Sequence, residues 1–366
     1  MTENREYDAV LVLSFGGPER NEDVVPFLRN VTAGRGIPDE RLKQVGEHYF
    51  HFNGRSPLND LNLEIIVNLK AELLARGFNL PVYFGNRNWH PLANDTAERI
   101  AADGHRNVLV FATSAWGGYS ACRQYDEDIQ KMREHLAARG LPEVTFTKLR
   151  QFYDHPTFIE IMAEAVRESF AEVPAERREA TRMLFTAHSV PTRADEESGR
   201  SGDKNLYSRQ VEESSRLIAA AAGVEKYDVV WQSRSGNPAT PWLEPDIVDH
   251  TEEIAASEGV KSVVVCPVGF ISDHMEVIWD LDTELQQAAD AIDVTVHRTR
   301  TAGPDKRFAR MIVDNITEQI EGTPWAGLGE VTVSGATVNG AACAPGCCSQ
   351  RDEVAVGAQR ENSATQ

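Results

Sequence analysis

The chain has 366 residues, 41% of them hydrophobic and 25% charged, and a formal net charge of −19. That balance belongs to an ordinary globular protein. Its acidity argues against broad nucleic-acid binding, which needs clustered Lys and Arg facing phosphate. No run of about 18 apolar residues is present to cross a bilayer. The opening MTENREYDAV lacks the charged-then-apolar order of a signal peptide, so a cytoplasmic protein is expected.

From the amino end, apolar runs alternate with amphipathic stretches almost throughout. Strands are predicted at 9–15, 82–84, 108–113 and 144–149, and again at 183–189, 227–233, 262–268 and 294–299. The longest helical patterns fall at 60–76, 205–222 and 306–320. Such alternation predicts an α/β fold with parallel sheets joined by right-handed crossovers. Two sets of four strands imply two similar lobes, residues 7–160 and 161–321, dividing within 151–174. From Gly322 the composition turns to Gly and Ala, giving an extension over 322–348. The polar run 349–366 is expected to be disordered.

In open parallel sheets, ligands bind beyond the carboxyl ends of the strands, and two such ends carry candidate chemistry. MLFTAHSVP places His188 where a strand gives way to a Pro-containing turn. VVVCPVGFISDHMEVIWDLDTE runs from a strand through a loop into a helix with Glu276, Asp280 and Glu284 at i, i+4 and i+8. In a regular helix that ladder drifts by about 40° per step, whereas a wider π-type turn aligns it better. A carboxylate ladder suits the relay of a divalent cation or of protons. By spacing alone, a surface histidine and a solvated acidic face fit the same residues. No G-x-S-x-G elbow accompanies Ser189, and LSFGGPE lacks the G-x-G-x-x-G spacing, which argues against a serine triad and against dinucleotide binding.

Six ordered segments carry a family resemblance: LSFGGP, GRSPLN, FGNRNWHP, FTAHSVP, WQSRSGNPATPWLEP and VGFISDHMEVIWDLDTE. Over residues 7 to 320 the chain resembles the ferrochelatases. The resemblance implies two Rossmann-like lobes with a porphyrin cleft between them. It also implies His188 and Glu276 as the catalytic pair and Fe²⁺ ligands facing each other across the macrocycle, with Asp280 and Glu284 as a metal relay. A neutral imidazole can accept a pyrrole proton or ligate iron, and a carboxylate opposite can shed protons or hand in the cation. The division of labour between the two stays open at this level. Phe15, Trp116, Ile271 and Trp279 are candidate apolar walls, and Ser56 and Tyr125 match positions at the porphyrin edge. Several bacterial relatives carry an axial Tyr where this chain has Phe15, so an axial ligand here falls to His188.

CAPGCC offers Cys343, Cys347 and Cys348 within six residues, and GGYSACRQY supplies Cys122. Four thiolates can hold structural zinc, the first reading from spacing, or a [2Fe–2S] cluster. The resemblance implies the cluster, as in animal and actinobacterial members, although C-x₃-C-C departs from the animal spacing. Cys266, mid-strand, reads as a buried hydrophobe.

The similarity to actinobacterial enzymes implies coproporphyrin III as substrate, whose four propionates need basic or polar groups at the rim. Arg29, Arg35, His48, Arg55 and Arg123 are candidates. Protoporphyrin IX is the alternative substrate, a cobalt chelatase the rival enzyme and a non-catalytic haem carrier the rival class. Partners expected are the porphyrin, Fe²⁺ and other haem-pathway enzymes.

Overall fold

A computed structural model describes residues 7–34, 37–200, 202–235, 239–330, 343 and 346–348. The rim candidate Arg35, residues 331–342, 344 and 345 of the 322–348 extension and the whole 349–366 tail lie outside the described residues.

Eight strands form two four-stranded parallel sheets. β1 (Ala9–Ser14), β2 (Val82–Asn86), β3 (Asn107–Ala112) and β4 (Thr145–Lys148) lie in the order β2-β1-β3-β4. β5 (Thr181–His188), β6 (Tyr227–Gln232), β7 (Ser262–Cys266) and β8 (Thr295–Arg298) repeat it as β6-β5-β7-β8. The predicted strands are all present, with ends displaced by at most a few residues, and the three long helices span Leu58–Ala75, Leu206–Ala222 and Lys306–Glu321. The fold is two Rossmann-like lobes.

The central strands are apolar runs because both faces of each sheet are covered. β1, AVLVLS, and β7, SVVVC, are buried at every position. Alternate residues then serve different cores. Val10, Val12 and Phe111 of the first sheet point into one cluster with Met183, Phe185, Val264 and Cys266 of the second. Leu11, Leu13, Val108 and Val110 turn the other way, into a core private to the first lobe. Leu184, Val263 and Val265 do the same in the second. Cys266, the last residue of β7, is therefore a core residue, the buried hydrophobe that the sequence suggests.

The shared cluster is built on helices that cross between the sheets. Pro156–Glu172, started by Pro156 and capped by His155 Nδ1 accepting the Thr157 N–H at 3.2 Å, packs on the Leu206–Ala222 helix, β7 and β8. Lys306–Glu321, capped by Asp305, returns to pack on Leu58–Ala75 of the first lobe. Beyond β4, Arg150 donates a two-pronged pair of hydrogen bonds to Glu318 on that last helix, at 2.7 and 2.9 Å. Both side chains are buried, and Trp325 lies over the guanidinium at 4.9 Å. After Gly322 the chain is pinned by backbone N–H groups of Ala326, Gly329 and Glu330 on the carboxylates of Glu318, Asp154 and Glu213. Truncating Glu318 would remove the carboxylate that takes two hydrogen bonds from a buried guanidinium, and breaking a buried pair by losing one partner costs more than replacing both. Glu318→Ala is expected to cost about 3 kcal/mol by denaturant unfolding, and the double replacement Arg150→Met with Glu318→Leu markedly less.

Candidate active site at the ends of β5 and β7

His188 is the last residue of β5 and pairs in register with Gln232 at the end of β6. Its Nδ1 lies 2.5 Å from the Ser189 carbonyl oxygen, which can only accept, so the ring proton sits on Nδ1. Nε2, the ring nitrogen not engaged with Ser189, faces Glu276 Oε2 at 3.7 Å. The two side chains are 36% and 51% exposed, so substrate can reach both.

Glu276 is held by the start of a helix. Beyond β7 the loop ends at His274, which caps the Met275–Trp279 helix by accepting the Glu276 N–H on Nδ1 at 3.2 Å. Burial, reinforced by the facing His188, keeps the His274 imidazole below its ordinary pKa, while Glu276 pulls it upward. His274 therefore serves as a neutral acceptor here.

The helix then widens into a π-type turn over Asp280–Glu284, the geometry that aligns the ladder better than a regular helix would. Asp280 accepts hydrogen bonds from the Ser233 hydroxyl and from Gln232 Nε2, the latter at 3.2 Å. Glu284 accepts from Trp279 Nε1 at 2.7 Å. The first lobe meets this turn through its Glu47–His51 helix: His48 stacks on Trp279 with centroids 4.0 Å apart, and His51 meets it edge-on at 5.8 Å. Burial lifts the Asp280 carboxyl to about 7; the Ser233 hydrogen bond opposes the rise, and the charges of Glu276 and Glu284 add to it. One member of the ladder can thus hold or release a proton near neutrality.

On the first-lobe side, Phe15 follows β1, is 38% exposed and meets Phe27 edge-on at 6.1 Å. Tyr125 is buried, its hydroxyl 3.2 Å from Thr113 Oγ1, and the Arg87 guanidinium sits 4.7 Å over its ring. Ser56 is buried against Gly17, where a Cβ would come within 2.8 Å of Ser56 Cβ. Trp116 and Ile271 lie in the core shared by the lobes. The Trp116 indole N–H donates to the Gly269 carbonyl at 3.0 Å, tying the loop after β3 to the loop after β7. Of the rim candidates, Arg29 pairs with Asp39, Arg55 with Asp60 at 2.5 Å and Arg123 with Glu127 at 3.5 Å. The first two pairs are exposed and worth little to stability.

His274, Arg87, Gln232 and Ser233 were not singled out from the sequence. His274 had a readable signal, a polar residue two before Glu276 where a helix begins. Arg87 lies within FGNRNWHP, but nothing in its spacing says that it stacks on Tyr125.

The four cysteines form a separate patch. Cys343 touches both Cys122 and Cys347, Cys347 Sγ is 4.0 Å from Cys348 Sγ, and Tyr119 packs over the group. Cys122 lies in a second π-type turn, Tyr119–Arg123, whose Cys122 carbonyl accepts from buried Lys148 at 2.8 Å. The Cys343 N–H donates to Asp126 at 3.3 Å. Among the described residues, no three or more His, Cys, Asp or Glu side chains converge as a single metal ion requires. Among them, too, no helix is long and apolar enough to cross a membrane.

Comparison with known proteins bears on these sites. Residues 7–320 match the family model described as Ferrochelatase. A coproporphyrin III ferrochelatase from Corynebacterium glutamicum is 58% identical over 342 residues, 93% of this chain and 92% of that one. One from Nocardia farcinica is 53% identical over 352 residues, 96% and 99% of the two chains. A solved structure of SirB from Bacillus subtilis with Fe³⁺ is similar in fold, with a TM-score of 0.50 at 13% identity over 87% of this chain and 98% of that one.

The raised Asp280 pKa has a stability consequence with a definite sign. Its folded value near 7 lies above the ordinary carboxyl value of 3.8, so the folded state binds the extra proton between those limits. The stability it contributes is full below about 4 and is lost as pH rises through about 7. Asp280→Asn cannot titrate, so its unfolding midpoint should fall less than the parent's between pH 5 and pH 8. Carboxyl ¹³C NMR should show one group titrating near 7 that the variant lacks.

Proposed function

The chain belongs to the ferrochelatase family, and on that premise we propose that it inserts Fe²⁺ into coproporphyrin III, releasing the two pyrrole protons, in the cytoplasm. The observation that carries the reading is His188 Nε2, which is not engaged with Ser189 and is turned toward Glu276. An imidazole nitrogen of this kind accepts a pyrrole proton or touches the metal at neutral pH. Glu276 supplies the opposing anionic oxygen. Asp280 and Glu284 continue from it as the relay for the cation or the released protons, and the near-neutral Asp280 suits that task. Binding of the rest of the macrocycle offsets the cost of bending the ring toward the pair.

Phe15, partly exposed, is the proposed wall of the porphyrin site; Ser56, Tyr125, Trp116 and Ile271, also read as porphyrin-binding, are buried. The lobes are read as residues 7–160 and 161–321, a division that falls within the Pro156–Glu172 helix. Coproporphyrin III is supported by the names of relatives more than half identical to this chain; His48, Arg29, Arg55 and Arg123 are the proposed partners of its extra propionates. Other haem-pathway enzymes supply and take up the porphyrin.

The thiol patch is read as the seat of a [2Fe–2S] cluster held by Cys122, Cys343, Cys347 and Cys348. A two-iron cluster divides four thiolates into pairs, which agrees better with a chain of pairwise thiol contacts than a single zinc ion does. When bound, it would brace the extension; metal insertion needs no redox change.

In vitro metallation with Fe²⁺ tests the site. His188→Ala and Glu276→Gln are each expected to lose at least about 10²-fold in kcat, the scale of removing an acid–base group. The kcat/KM for coproporphyrin III should exceed that for protoporphyrin IX, and the reverse order would refute the substrate. Anaerobically purified protein should show cluster absorption and, once reduced, an EPR signal; a colourless protein with one zinc would sink the cluster.

A further inference from the structure

Tyr207 is the second residue of the Leu206–Ala222 helix, and only 8% of it is exposed. Its ring lies against Trp231 with centroids 5.8 Å apart, and its hydroxyl donates to the main-chain carbonyl of His188 at 2.8 Å. The peptide unit joining His188 to Ser189 is therefore gripped at both ends. Tyr207 holds its oxygen, and the Gln232 carbonyl accepts its N–H at 2.8 Å. The next carbonyl, that of Ser189, receives the His188 ring proton. Ser189 is fixed in turn by its hydroxyl on the Leu243 carbonyl at 2.9 Å.

The position of Tyr207 is set from two sides. Gly117 and Gly118 approach it closely: a Cβ on Gly117 would fall 2.5 Å from Leu206, and one on Gly118 would fall 3.3 Å from Tyr207 Cβ. The Gly117 N–H reaches Gln210 Oε1 at 2.5 Å. From the other side, Ser198 accepts the Tyr207 N–H at 3.1 Å, and buried Asp195 gathers Asn205 and Ser208.

The geometry points to Tyr207 as a positioning residue for His188. Its hydroxyl holds the 188–189 peptide plane at the angle that lets Nδ1–H reach Ser189, and so keeps the proton off Nε2. Without it the plane tilts, the bond to Ser189 weakens, and the ring admits the tautomer protonated on Nε2, which can neither accept a pyrrole proton nor touch iron. This assignment rests on the proposed role of Nε2, but its spectroscopic test does not require turnover.

Tyr207→Phe removes one oxygen and keeps the ring packed on Trp231. The expected result is a kcat about tenfold lower, the scale of one hydrogen bond, with KM for coproporphyrin III within about twofold and the melting temperature within a few degrees. Ring ¹⁵N NMR at pH 8 on the full chain should show His188 protonated on Nδ1 in the parent and a mixture of tautomers in Tyr207→Phe. A parent protonated on Nε2 overturns the proposal, and that measurement needs no variant. So does a Tyr207→Phe protein with parental kcat, or one whose kcat falls while its tautomer stays parental. If the parent metallates no porphyrin, the proposed function fails while the tautomer comparison still decides the role of Tyr207.

Discussion

Each central strand of the two sheets has to bury both of its faces, and with a period of two that splits its side chains between two different cores. In β1, Val10 and Val12 go to the common cluster while Leu11 and Leu13 go to the private one. In β5, Met183 and Phe185 go to the common cluster and Leu184 to the private one. This alternation, with the helices wedged between the sheets, sets where the strand ends lie. His188 is placed by the end of β5, and the loop leading to Glu276 starts from the neighbouring β7. The 3.7 Å between their side chains is the far end of that packing.

Around this frame the polar groups follow one logic. Groups that must stay fixed are held by main chain: His188 by the Ser189 carbonyl, Glu276 by a helix start capped by His274. Asp280, the group whose charge changes near neutrality, is held instead by the side chains of Ser233 and Gln232. A hydroxyl and an amide can adapt to either protonation state, whereas a backbone carbonyl cannot.

Much of this was legible in the sequence. The strands stood out because full burial leaves an unbroken apolar run that composition alone reveals. The acidic ladder was legible in its spacing, which left a regular helix and a wide turn both open; the structure has the wide turn, at Asp280–Glu284. What escaped notice depended on partners distant in the chain. The depth of Trp116 is set by the second lobe, through Gly269 and the residues packed around it. Arg150 reads as one more surface cation until Glu318 is brought to it from 168 residues away. His274 and Tyr207 act through main-chain atoms of other residues, and residue type does not announce such contacts.

The common core has a consequence for the geometry of the pair. The helices 156–172 and 306–321 join both sheets to one interior, so the strand end that carries His188 is backed by residues of both lobes. The stack of His48 on Trp279 adds a second tie, from the first lobe to the short helix that carries Glu276. A substitution in the shared interior would therefore be felt at the site without touching it.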